Sequence, residues 1–102
     1  MLELRPTCEN CNKELPPDAV DAMICSFECT FCKTCVDEIL ENVCPNCGGG
    51  FCKRPVRPRN NWRDDNYLGK YPPSTKVKYR PVDPAAHRQF AAEIKNITPN
   101  ER

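Results

Sequence analysis

The sequence contains a single histidine, His87, and it lies far along the chain from the cysteines. A catalytic zinc keeps one position open for water and usually draws on histidine or carboxylate ligands. A hydrolytic zinc centre, and with it enzymatic activity, is therefore not expected. No apolar run is long enough to span a membrane. The opening residues, MLELRPTC, have no basic start and no apolar stretch of signal-peptide length, so a reducing, cytoplasmic compartment is expected. Net charge is almost absent, at +1, and the whole-chain balance names no partner. No strand-and-crossover pattern surrounds any Cys-x-x-Cys pair, which argues against thioredoxin-like redox chemistry. There is no internal repeat beyond the cysteine pairs and no low-complexity tract longer than Gly48-Gly49-Gly50. The 102 residues suffice for one small domain and a tail, not for two hydrophobic cores.

What the chain has in excess is cysteine, nine residues in all. Secreted disulfide scaffolds and zinc modules both show such an excess. The absence of a secretion signal and the odd count favour metal. Eight of the nine run as Cys8-x2-Cys11-x13-Cys25-x3-Cys29-x2-Cys32-x2-Cys35-x8-Cys44-x2-Cys47. Two thiolates separated by two residues can chelate one tetrahedral ion from a tight turn, and eight ligands make two closed, four-coordinate sites. Asn10 and Asn12 are expected to tolerate the backbone angles that the first such turn needs. A segment of about 40 residues cannot bury enough apolar surface to fold unaided. A structural zinc contributes on the order of 10 kcal/mol or more. We therefore expect two structural Zn2+ ions as the core, with Ile24, Phe27, Phe31, Val36, Ile39 and Leu40 packed around them. Cys52 reads as a spare thiol, or as a substitute for Cys47 across the flexible glycine insert.

The rest of the chain supports this plan. Leu2 and Leu4 alternate with charge as in a brief edge strand that Pro6 ends. Residues 19–24 suggest one strand or an irregular core segment before Cys25. A short helix starting at Thr34 or Cys35 and running to about Asn42 places Val36, Ile39, Leu40 and Val43 at helical spacing. It is too short to stand alone and needs metal at both ends. Charge is unevenly spread: residues 1–47 carry 3 Lys and Arg against 9 Asp and Glu, and residues 48–82 carry 9 against 2. Residues 51–82 are Pro-rich and basic without a sustained period, and read as an extended or loosely wrapped arm. Asp83 and Pro84 are a helix start, Pro99 is a stop, and Ala86, Phe90, Ile94 and Ile97 line one face between them. His87 is expected to be a solvated residue of that helix. The organisation is thus a two-zinc module (1–50), a basic arm (51–82) and an amphipathic C-terminal helix (83–98).

The order of the cysteines, Phe31 before Cys32, the helix after Cys35 and Pro45 after Cys44 resemble the RING family. That resemblance implies a small zinc-stabilised α+β fold of RING-like or treble-clef type with one short central helix. It also implies a cross-brace. Zinc one would take Cys8, Cys11, Cys32 and Cys35, and zinc two Cys25, Cys29, Cys44 and Cys47. The alternative is sequential or nested pairing in zinc-ribbon or treble-clef style. RING ubiquitin ligases bind the conjugating enzyme through three places: an apolar residue between the first two ligands, an aromatic residue near the central helix, and a basic residue after the last ligand. Glu9-Asn10, Ile39-Leu40 and Gly48 stand there in this chain, so ligase activity is a third reading at best. Over residues 1 to about 80, the stretches MLELRPTCENCNKELPPDA, ICSFECTFCKTCVDEIL, CPNCGGG and YPPSTK resemble a family of short, cysteine-rich bacterial proteins designated a domain of unknown function. That likeness implies a bacterial cytosolic origin and no particular activity.

The expected function is a non-enzymatic zinc-binding module serving protein interaction, scaffolding or regulation, with a protein partner or self-association. No membrane and no small-molecule substrate is indicated. The rival is a nucleic-acid-associated regulator that uses basic and aromatic residues of the arm to hold phosphates and stack bases. Candidate partner-binding residues are Arg54, Arg57, Arg59, Trp62, Arg63, Phe90 and Ile94.

Overall fold

The computed structural model describes all residues, 1–102. Three short strands form one antiparallel sheet: β1 (Ala22–Ile24), β2 (Thr30–Cys32) and β3 (Cys52–Lys53), in the order β2-β1-β3. Met23 sits opposite Phe31 on one side and Lys53 on the other. β2 leads directly into α1 (Lys33–Cys35), which continues as a π-helical stretch (Val36–Leu40). Glu41 (φ 53) and Asn42 (φ 59) then both enter the left-handed region, which ends the helix and turns the chain back towards Cys44. The predicted helix is thus present but begins one residue early and stops at Leu40. Leu2 and Leu4 form no strand. Their carbonyls accept single bonds from Arg57 and Ser74 rather than a ladder, and Leu4 is buried in irregular chain.

The core is small. Only 21 of the 102 residues are buried, which is too few to hold a conventional hydrophobic core. Of the 11 residues in the central cluster, six are cysteines: Cys8, Cys25, Cys29, Cys32, Cys35 and Cys44. Leu15, Ala22, Phe31, Val36 and Leu40 complete it, and Phe51 meets the edge of Phe31 at 5.4 Å between ring centres. Ile24 is also buried, but Phe27 is not. Phe27 lies at the tip of the β1–β2 loop, 66% exposed, because that loop turns its backbone rather than its side chains towards Cys25.

A second helix, α2 (Pro84–Ile94), starts at the expected N-cap, where the Asp83 carboxylate accepts from Ala85 N–H. Its buried face differs from the expected stripe. His87 and Ala91 are buried, while Ala86 and Phe90 are exposed, Ile94 is partly buried, and Ile97 lies beyond the helix end. The reason is local. The chain packs α2 on the π-helical stretch, at whose end the Leu40 carbonyl accepts from Val43 N–H and has room for a second donor. His87 Nε2 lies 2.9 Å from that carbonyl, and the small Ala91 permits close approach. His87 is therefore a buried, hydrogen-bonded residue and not a solvated one.

Candidate metal centres

Two cysteine turns share one hydrogen-bond frame. In the first, Cys8 N–H donates to the Lys13 carbonyl (2.8 Å) and Asn12 N–H to the Cys8 carbonyl (2.9 Å). In the second, Cys44 N–H donates to the Gly49 carbonyl and Gly48 N–H to the Cys44 carbonyl, both at 2.8 Å. The residue after each second cysteine takes a left-handed conformation, Asn12 at φ 64 and Gly48 at φ 77. Asparagine and glycine are the residue types that adopt it at least cost. Asn10 does not share that conformation. Its side chain instead donates to Cys35 Sγ at 3.3 Å and accepts from Val82 N–H at 2.9 Å.

The sheet and helix bring the remaining cysteines to these turns. Cys32 ends β2 and Cys35 lies one helical turn later, so both meet the first turn. The sulfurs of Cys8, Cys11, Cys32 and Cys35 all lie within 4.8 Å of one another, and Cys11 and Cys32 are 3.7 Å apart. Four sulfurs about 2.3 Å from a central zinc form a tetrahedron with edges of about 3.8 Å. A disulfide needs about 2.0 Å, and all nine cysteines are free thiols. At the other end of the β1–β2 hairpin, Cys25, Cys44 and Cys47 form a second group within the same 4.8 Å limit. Cys29 falls outside that mutual limit, but it is buried, and its carbonyl accepts from Cys25 N–H at 3.2 Å. Membership alternates along the chain: the first and third pairs meet, and Cys25 of the second pair meets the fourth.

The surroundings suit thiolates bound to a cation. Backbone N–H groups of Cys11, Phe27 and Gly49 point at the sulfurs of Cys8, Cys25 and Cys47, at 3.5, 3.3 and 3.4 Å. Such outer contacts orient metal ligands. Burial, then the neighbouring sulfurs, pushes the Cys35 and Cys44 thiols well above the usual thiol range. Without a cation, these sulfurs are held neutral; a divalent metal reverses that preference and deprotonates them. The residues present therefore fit a metal ion in each group. Cys52 lies apart, exposed on β3.

The arm wraps onto the module, and two of the candidate partner-binding residues in it are turned inward. Arg54 is 1% exposed, and its guanidinium donates to the carbonyls of Arg5 (2.9 Å), Leu15 (3.2 Å) and Pro16 (2.8 Å). Arg57 donates to the carbonyls of Tyr71 and Leu2, both at 2.7 Å. Both guanidiniums are engaged by the chain's own carbonyls. Their bonds go to backbone carbonyls because the loops around Leu15 and Leu2 have no ladder to accept them. Arg59 stays exposed, 3.8 Å from the Asp18 carboxylate. Trp62 is 77% exposed and Arg63 is exposed beside it. Phe90 is half-exposed.

Two further groups were not singled out from the sequence. Glu9, 4% exposed, accepts from Arg5 Nη1 at 2.9 Å and from Thr30 N–H. Arg5 and Glu9 lie in irregular chain, so their four-residue spacing was no signal for it. Arg102 donates to the carbonyls of Asn42 (2.8 Å) and Gly48 (3.2 Å), closing the C-terminal segment over the second turn. Nothing in the sequence marked that contact.

Residues 1–57 match the family described as "Protein of unknown function (DUF1272)". That span takes in all nine cysteines and Arg54 but ends before the YPPSTK segment. The uncharacterized protein R02474 of Rhizobium meliloti (strain 1021) is 51% identical over 88 residues, covering 86% of this chain and 98% of that protein. No solved structure matches. With a family model matched over more than half its length and a relative this similar, the chain belongs to the DUF1272 family.

Proposed function

We propose that this protein is a non-enzymatic, two-zinc module of RING-like cross-brace type that serves as a protein-interaction or scaffold element. The observation that carries the reading is the alternating convergence of the sulfurs, at a separation that suits a zinc tetrahedron. Four sulfurs per ion leave no open position for water, so the zinc is structural. Six cysteines in a core of 11 residues support the view that metal is what folds the chain. Ubiquitin transfer gains no support: Glu9 is buried in an ion pair, and Asn10 is held between Cys35 and Val82. Circular dichroism with and without a chelator tests the reading. Complete metal removal should abolish the fold, and a fold that survives it would contradict the proposal.

A nucleic-acid-associated role is the second reading, and it rests on exposed Trp62 between Arg59 and Arg63. Asp64 and Asp65 follow directly and offset that positive charge. A gel shift of single-stranded RNA that fades steeply with salt would favour it.

A further inference from the structure

The peptide group between Gly48 and Gly49 is held at both ends. Its N–H donates to Cys47 Sγ at 3.4 Å. Its carbonyl accepts from Arg102 Nη1 at 3.2 Å. The same nitrogen donates to the Asn42 carbonyl at 2.8 Å, and Arg102 Nε donates to the Ile97 carbonyl at 3.0 Å. One guanidinium therefore ties together the turn after the π-helical stretch, the second cysteine turn and the chain after α2. A peptide between two glycines rotates with little steric resistance, so its direction must be set from outside. The following peptide is already fixed, because the Gly49 carbonyl accepts from Cys44 N–H. A cation on the Gly48 carbonyl fixes the remaining one and polarises its N–H towards sulfur.

We propose that Arg102 is a positioning residue of the second metal centre, acting through the Gly48–Gly49 peptide on the thiolate of Cys47. This rests on the reading that the centre holds zinc. Cys47 is where such help matters, since Cys25, Cys29 and Cys44 are buried and Cys47 is exposed. The first centre uses a different relay. Val82 N–H donates to Asn10 Oδ1 at 2.9 Å, and Asn10 Nδ2 donates to Cys35 Sγ at 3.3 Å. An amide stands between a distant segment and a sulfur in each case, but Asn10 belongs to the first turn itself. The two relays share no residue, so they can be broken separately.

The test uses the full chain with cadmium in place of zinc, as wild type, Arg102→Ala, Arg102→Lys and Asn10→Ala. Cadmium NMR reads the two centres individually, and a chelator chase reads the release of each ion. In Arg102→Ala, one resonance should shift and that ion should leave at least about tenfold faster, a typical effect of losing an outer contact. The other resonance should stay in place. Arg102→Lys should recover part of the loss, and Asn10→Ala should move the other resonance. Two ions bound, with both resonances and both release rates unchanged in Arg102→Ala, would overturn the role of Arg102 alone. Equal weakening of both centres would also overturn it, marking the residue as generally structural. A wild-type chain that takes up fewer than two cadmium ions would overturn the two-metal reading and this inference with it.

Discussion

Replacing Arg54 by methionine separates a structural arm from an interaction arm. The guanidinium is 1% exposed and makes three bonds to carbonyls at 2.8 to 3.2 Å, with no carboxylate nearby among its partners. Burial alone lowers its pKa, which marks the cost of placing the charge there. A hydrogen bond to a charged group contributes about 1.5–3 kcal/mol, so three contribute at least about 5 kcal/mol. Desolvation of the guanidinium opposes them by several kcal/mol. Methionine keeps most of the apolar stem but leaves three carbonyls without donors. A net loss of about 3 kcal/mol follows, or a fall in Tm of roughly 12–24 °C for a domain of this size. The assay is thermal unfolding at a fixed free zinc concentration, because bound metal itself shifts Tm. Arg59→Met is the control, and an exposed change should stay within about 0.5 kcal/mol. A loss below about 1 kcal/mol for Arg54→Met would refute the reasoning and return Arg54 to the outward-facing surface.

The double variant Cys8→Ser/Cys35→Ser removes two ligands from one centre and should retain one zinc by mass; loss of both ions would mean that the pairs do not alternate. Gly48→Ala places a side chain at φ 77, where it would meet Ile94 and Phe90 only at ordinary contact distance. The cost is therefore mostly backbone, about 1–2 kcal/mol, and chemical denaturation should show Gly48→Asn to be milder. Glu9→Gln leaves Arg5 and its remaining partner Glu3 without the buried carboxylate, and denaturant titration should show a loss of about 3 kcal/mol or more. Metal retention should depend on pH with a definite sign. A metal-bound thiolate has its pKa depressed below the usual value of about 8.5. The stability it confers is present at neutral pH and lost as pH falls. Zinc release to a chromophoric chelator should therefore rise steeply below about pH 6, with no matching rise towards pH 9.

The cysteine groups were legible in the sequence because chelation imposes a spacing that survives without context. The two-residue gaps, Phe31 and the short apolar run from Val36 to Leu40 all took the positions that their chemistry required. The start of α2 was legible for the same reason, since Asp83 and Pro84 act within one turn. What stayed hidden depends on partners distant in sequence. Arg54 reads like every other arginine in the basic arm, and only the loops around Arg5 and Leu15, more than 35 residues away, give it carbonyls to bind. His87 and Ala91 lose to Phe90 and Ile97 on any hydrophobic scale. The end of the π-helical stretch offered a carbonyl and little depth, so a donor and a methyl fitted better than an aromatic ring. Phe27 carried an apolar side chain into a loop that needed only its backbone N–H.

The central claim is that metal, held by two alternating sets of cysteines, is the core of this protein. Native mass spectrometry of the full chain, purified without added metal and then measured again with a chelator, tests it most directly. The account predicts two zinc ions per chain and loss of the compact charge distribution when they are removed. A metal-free compact chain, lighter by about two hydrogens for each cysteine pair as disulfides require, would contradict it.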